Sequence, residues 1–148
     1  MMTRAKVLMA VALLVGSATA CSDVSGNNVT AEGLFSLRTV SNSSSTSNVP
    51  YSYVDQSTGH TIYIQSDQFV LASNGSYTEQ QVYTDNGFQQ FANETGSWSQ
   101  SGNIVYFTPT VSDFSTTPYR GTVRNSSGYG GTRTLTISIN GTTALYSD

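Results

Sequence analysis

At 148 residues the chain is long enough for one domain with a sizeable core, and its single cysteine leaves it no internal disulfide. Six Lys and Arg against nine Asp and Glu give a formal charge of −3. Nucleic acid is excluded as a partner, because displacing phosphate counterions takes clustered cations that are absent here. One histidine and one cysteine leave a zinc site without its usual ligands.

The chain opens with Arg4 and Lys6, continues through nine apolar residues at 7–15, and then turns small and weakly polar from Gly16 to Ala20. This is the three-part layout of a secretory signal peptide. The apolar run falls short of the roughly 20 residues a spanning helix requires. Cys21 follows at once. The stretch "ATAC" resembles the lipobox of bacterial lipoproteins, differing from the usual pattern at Ala18, where a large aliphatic residue is commoner. The resemblance implies a diacylglyceryl group on Cys21 and cleavage of residues 1–20. Ser22 resembles the sorting residue of outer-membrane lipoproteins, and Asp23 follows it. The expectation is a domain held to the cell envelope at the outer membrane by lipid alone. Two or more acyl chains are needed to hold stably, at about 0.8 kcal/mol per buried methylene.

Without residues 1–20 the chain has four arginines (Arg38, Arg120, Arg124 and Arg133) against nine carboxylates, a formal charge of −5, and no lysine. A polybasic membrane patch is therefore absent as well. Residues 21–32, "CSDVSGNNVTAE", lack apolar periodicity and read as a flexible tether. Residues 33–148 form the expected domain.

The first strand candidate is "GLFSLRTV" at 33–40, with Phe35, Leu37 and Thr39 on one face. Residues 41–48, "SNSSSTSN", read as a low-complexity loop. Beyond Pro50, short alternating runs are separated by turn residues. Ile62 and Ile64 share one face, and Phe69 and Leu71 share the next. Asn74-Gly75, Asn86-Gly87 and Asn140-Gly141 are hairpin signals, because a type I′ turn requires positive φ at both central positions. In "RTLTISI", Leu135, Ile137 and Ile139 alternate strictly with Thr134, Thr136 and Ser138. No sustained helical spacing occurs after residue 32. The expected fold is all-β, a single antiparallel meander of eight to ten strands. It forms a closed or nearly closed barrel, because closure removes unpaired edges; a sandwich is the alternative.

"GLFSL", "SNGSYT", "TGSWSQSGNIVYFTP" and "TLTISINGTTALY" together resemble bacterial lipocalin-like lipoproteins across most of residues 33–146. The resemblance implies a small up-and-down barrel and no particular activity. Phe35 stands where lipocalins carry a tryptophan, and no flanking helix is readable.

Catalysis is not expected. His60 follows Gly59 at a strand start, and a nucleophile beside it with a third orienting group is not evident. Counting outward from Asn86-Gly87 puts Asp85 opposite Phe88 and Glu79 opposite Glu94. Like charges in that position repel, so the register differs, the acids stand in water, or they share a proton or an ion. A glycosidase would use two carboxyl groups about 5–10 Å apart; a long hairpin leaving both solvated is simpler. No cofactor or metal is expected. The aromatic residues suit an interior that holds one small ligand. Tyr63, Phe69, Leu71 and Tyr106 are the candidate lining of such a cavity. The expected function is a non-enzymatic, lipid-anchored barrel that binds a small apolar or amphiphilic molecule. The alternative is an envelope module that presents itself to a protein or glycan, without a small-molecule ligand.

Overall fold

The computed structural model describes residues 29–126 and 133–148; the expected signal peptide, Cys21 and most of the expected tether lie outside the described residues. Ten strands follow in order: β1 (Gly33–Ser41), β2 (Thr46–Asn48), β3 (Tyr51–Val54), β4 (Thr61–Leu71), β5 (Ser76–Asp85), β6 (Phe88–Ser101), β7 (Ile104–Ser112), β8 (Tyr119–Asn125), β9 (Arg133–Ile139) and β10 (Thr142–Ser147). No helix occurs among the described residues. Strands β4 to β10 form an antiparallel meander, and β1 pairs with both β10 and β4. Eight strands thereby close into a barrel, and the meander predicted from sequence is the observed fold.

The closure has a local irregularity. The first half of β1 pairs with the end of β4, from Gly33↔Leu71 to Ser36↔Gln68. Beyond that the two strands part, and each takes up a short strand instead: β2 on Thr39–Ser41 and β3 on Thr61–Ile64. Strand β2 lies within the segment expected to be a loop. Asn42 makes it possible by turning the chain, since its Oδ1 accepts from the amides of Ser44 and Ser45 at 2.8 and 2.9 Å. A run of serines carries no alternation from which such a strand could be read.

The turns follow from φ. Asn86 (+48°) and Gly87 (+89°), then Asn140 (+50°) and Gly141 (+80°), meet the type I′ requirement at both central positions. Asn74-Gly75 differs. Only Gly75 (+81°) is left-handed there, and the Gly75 amide donates to the Ala72 carbonyl at 3.0 Å. This is a three-residue loop with a glycine bulge, not a two-residue turn. Asn74 Oδ1 instead accepts from the Ser76 amide at 2.9 Å, and the Trp98 indole donates to the Ala72 carbonyl at 3.0 Å.

Strand β4 reads as two runs in sequence and is one strand. Its register against β5 shifts between Ile64 and Ser66. The bulge reverses the phase, so Ile62 and Ile64 face inward before it and Asp67, Phe69 and Leu71 face inward after it.

The lower half of the barrel is packed solid by Phe35, Leu71, Tyr77, Val105, Phe107, Val123 and Leu135. Rings cross this core edge to face. Phe69 meets Tyr146 at 5.1 Å and Tyr77 meets Phe107 at 5.1 Å, while Phe107 stacks on Tyr119 at 4.9 Å. Each buried ring contributes about 2 kcal/mol.

Residues 29–32, assigned to the tether from sequence, are part of this end. Val29 and Ala31 are buried. The Gln100 amide group holds both, accepting from the Ala31 amide at 2.8 Å and donating to the Val29 carbonyl at 2.6 Å. Arg133 fastens the segment further. Its Nη1 donates to the carbonyls of Thr30 and Glu32, both at 2.7 Å, and its Nε donates to Asp148 at 2.7 Å. Its guanidinium also lies over the Phe35 ring at 5.3 Å. Arg133→Ala is expected to cost about 2 kcal/mol and to open the N-terminal segment to proteolysis. Lysine should not rescue it, since one ammonium cannot span three acceptors. Wild-type protection of this segment in the alanine variant would show that Gln100 holds it alone.

Candidate functional site

Above the aromatic layer the barrel is hollow. A cavity of about 670 Å³ opens at the end of the barrel that carries the Asn140-Gly141 turn, away from residues 29–32. Leu37, Val40, Ile137, Ile139 and Ala144 form one apolar wall. Phe69, Tyr119 and Tyr146 bring the edge of the ring cluster to the cavity, and Tyr51 and Phe114 stand higher.

Three adjacent strands each place a carboxyl group in this space: Asp67 from β4, Glu79 from β5 and Glu94 from β6. The counted register is the observed one, Glu79↔Glu94 and Asp85↔Phe88. The solvated hairpin is not. Glu94 is 2% exposed and Asp67 is 3% exposed. The acids lie in phase with the core, since Glu79 follows Tyr77 by two positions on β5 and Glu94 follows Ala92 by two on β6.

Burial without a counter-charge has a definite consequence. Desolvation, reinforced by the charges of Asp67 and Glu94, pushes the Glu79 carboxyl up to about 9. Desolvation also raises Asp67 to about 6, opposed by hydrogen bonds from Gln81 and Tyr146. Glu79 and Asp67 lie within hydrogen-bonding reach of each other. At neutral pH the pair therefore holds a proton. Of the three arrangements open to opposed acids, the register is as counted and Glu94 is out of water, and the raised Glu79 carboxyl favours a retained proton over a bare pair of charges.

Glu94 is held differently. Its Oε1 accepts from the hydroxyls of Tyr77 and Tyr119, both at 2.6 Å, and its Oε2 accepts from Ser112 at 2.5 Å. Burial is the largest cause raising both phenols, so they remain hydroxyl donors. Ser112 Oγ in turn accepts from the amides of Phe114 and Ser115 at 3.0 and 2.9 Å. The loop at the cavity mouth is thereby tied to the acid at its base. Asp67 Oδ2 accepts from Gln81 at 3.3 Å and from Tyr146 at 3.1 Å.

Of the four residues expected to line the cavity, Phe69 does so, and Leu71 lies in the solid core. Tyr63 and Tyr106 are on the outside, 39% and 42% exposed. Strict alternation places them there. Ile62 and Ile64 point inward around Tyr63, as do Val105 and Phe107 around Tyr106. Sequence reasoning missed Asp67, Tyr51, Tyr119 and Tyr146. Asp67 had a readable signal, since it is two residues before Phe69 in the same phase.

His60 Nδ1 lies 2.8 Å from Asp85 Oδ1 in an exposed pair, a surface contact outside the cavity. Among the described residues, no group of three or more His, Cys, Asp or Glu is arranged to hold a metal ion. No protein-family model matches the chain, and no curated protein matches it.

Proposed function

We propose that this chain is a non-enzymatic barrel of the cell envelope, moored at the outer membrane through a lipid on Cys21, that holds a small amphiphilic molecule. The hollow upper half of the barrel carries this reading. A structural module would be stabilised by filling that space, since each void costs dispersion contacts. The apolar wall and hydroxyl-bearing base suit a ligand with an apolar body and a polar end. Both Glu94 oxygens already accept hydroxyl hydrogens, an arrangement that fits a fixed acceptor better than a nucleophile. The polypeptide reaches the barrel at its closed end. A lipid at Cys21, eight residues before Val29, would leave the mouth facing away from the membrane.

The bacterial lipocalin-like resemblance is consistent with this reading, through the small antiparallel barrel. A second reading has its own support. Phe88 is 72% exposed, and Phe91, Tyr53 and Tyr63 are also on the surface, so an outer aromatic face could meet a protein or glycan.

Two measurements test the proposal. Cys21→Ala should move the protein from the membrane to the soluble fraction of its host, and retention in the membrane would defeat the anchor. The same lipid-free full chain should bind a neutral naphthyl fluorophore with an emission rise, and Ala144→Trp, which fills the cavity wall, should abolish it. A folded wild-type domain that gives no rise would favour the interaction module.

A further inference from the structure

We infer that the cavity selects a positively charged amphiphile: an organic ammonium whose charge sits among Asp67, Glu79 and Glu94 and whose apolar body extends toward Ile139 and Phe114. This rests on reading the cavity as a ligand site, and it names the class of ligand.

The first observation is a missing counter-charge. Three carboxyl groups meet in one cavity, and no basic residue is among its lining. Burying acids without a partner is costly, and natural interiors pair them or neutralise them. The described arginines are engaged or exposed elsewhere. Arg133 is clasped at the closed end, Arg38 bonds Ser147 at 2.6 Å, and Arg120 and Arg124 are exposed. No described residue brings a positive charge to this site.

The second observation is independent of charge counting. Asp67 Oδ1 is buried, lies on a residue lining the cavity, and meets no N–H or hydroxyl donor. Buried oxygens are rarely left without a donor. Gln81 and Tyr146 donate only to Oδ2, and an ammonium would bring several N–H donors to Oδ1 and to Glu79.

The surroundings decide the kind of cation. Glu94 has both oxygens committed to hydroxyls, so it offers charge without a free lone-pair set for direct metal coordination. Among the described residues no metal-holding group is formed. The base is ringed by the phenols of Tyr119 and Tyr146, with Tyr51 above and Tyr77 behind Glu94. Aromatic faces attract organic cations, and the apolar wall accommodates an alkyl or aryl body that a bare ion lacks. On binding, Glu79 gives its proton to solvent, and the ammonium takes over the neutralisation that the proton supplied. Affinity should therefore rise with pH between about 6 and 9, as Glu79 becomes easier to deprotonate.

The test compares three probes of one chain length, decylammonium, decanol and decanoate, on the lipid-free Cys21→Ala full chain by calorimetry below micelle-forming concentrations. At pH 8 decylammonium should bind at least about tenfold more tightly than decanol, with decanoate weakest. Its binding should release close to one proton, read from buffers of different ionisation enthalpy. Glu79→Gln should collapse the ammonium-to-alcohol ratio and remove its pH dependence, whereas the exposed Glu32→Gln should keep both. Asp67→Asn serves if Glu79→Gln fails to fold. Equal affinities for decylammonium and decanol would overturn the inference and leave the ligand site intact. No binding by any probe to the folded protein would overturn both. A thermal shift with calcium or magnesium but none with decylammonium would assign the acids to a metal and also overturn it.

Discussion

Raising the pH from about 5 to about 9 should lower the thermal midpoint of the barrel by about 10 °C, and Glu79→Gln should remove most of that loss. In the unfolded chain Glu79 titrates near its ordinary 4.5, whereas in the barrel it is pushed up to about 9 by burial and by Asp67 and Glu94. Between these values the folded chain keeps a proton that the unfolded chain has released. Proton binding favours the folded state there, so stability is fully present below about 4.5 and declines as pH rises through the folded value. Asp67 adds to the same trend in its own window, from 3.8 to about 6. Glutamine has no proton to lose, and its amide can donate to Asp67 as the protonated carboxyl does. The variant should therefore melt at a higher temperature than wild type at pH 9 and show a flatter profile between pH 6 and 9. Thermal midpoints measured across that range decide the matter. An unchanged slope in the variant would mean that Glu79 is not the group retaining the proton.

The same residues show where sequence is readable and where it is not. Strand β9 could be read directly, because Leu135 and Ile137 point inward and Thr134, Thr136 and Ser138 alternate with them. The β5–β6 register was also readable, residue by residue, because a type I′ turn at Asn86-Gly87 allows only one pairing. The register alone does not say which face of that hairpin meets the core. A charged pair normally marks the solvent face, and here it marks the interior. The phase relation to Tyr77 was the better guide, because pleat geometry is fixed and polarity is only a tendency. Tyr63 and Tyr106 lie outside for the complementary reason: the alternation of their own neighbours, not aromatic character, sets the face they occupy. The bulge in β4 could not be read locally. It shows in sequence only as a change of phase between Ile64 and Asp67, and that looks the same as a strand boundary. The convergence of Asp67, Glu79, Tyr119 and Tyr146 depends on closure between β1, β4 and β10, contacts that no local pattern encodes.

Gly96→Ala should be the most damaging single-methyl change in the barrel, costing about 3 kcal/mol or more. Gly96 sits where β6 shifts register against β7, opposite Pro109 and beside Tyr77 across β5. A Cβ there would overlap the Thr108 carbonyl oxygen and lie 2.9 Å from Pro109 Cα and 2.8 Å from Tyr77 Cε1. The first two are backbone atoms, so a side-chain rotation cannot relieve them and the β6–β7 ladder must part. Gly121 provides the comparison. Its Cβ would come no closer than 2.9 Å to the Thr136 carbonyl oxygen, with side-chain atoms of Leu135 and Ile137 next at 3.0 and 3.1 Å. Gly121→Ala should cost less, because two of those three neighbours can move. The damage at Gly96 reaches the cavity too. The Tyr77 ring that would be displaced carries one of the three hydroxyls holding Glu94. Any Gly96→Ala protein that folds should therefore lose affinity for the naphthyl fluorophore beyond its loss of midpoint. Paired melting curves and fluorophore titrations of the two alanine variants test both parts. Equal midpoints would show that the bulge relaxes, and unaltered binding by a destabilised Gly96→Ala would uncouple Tyr77 from the site.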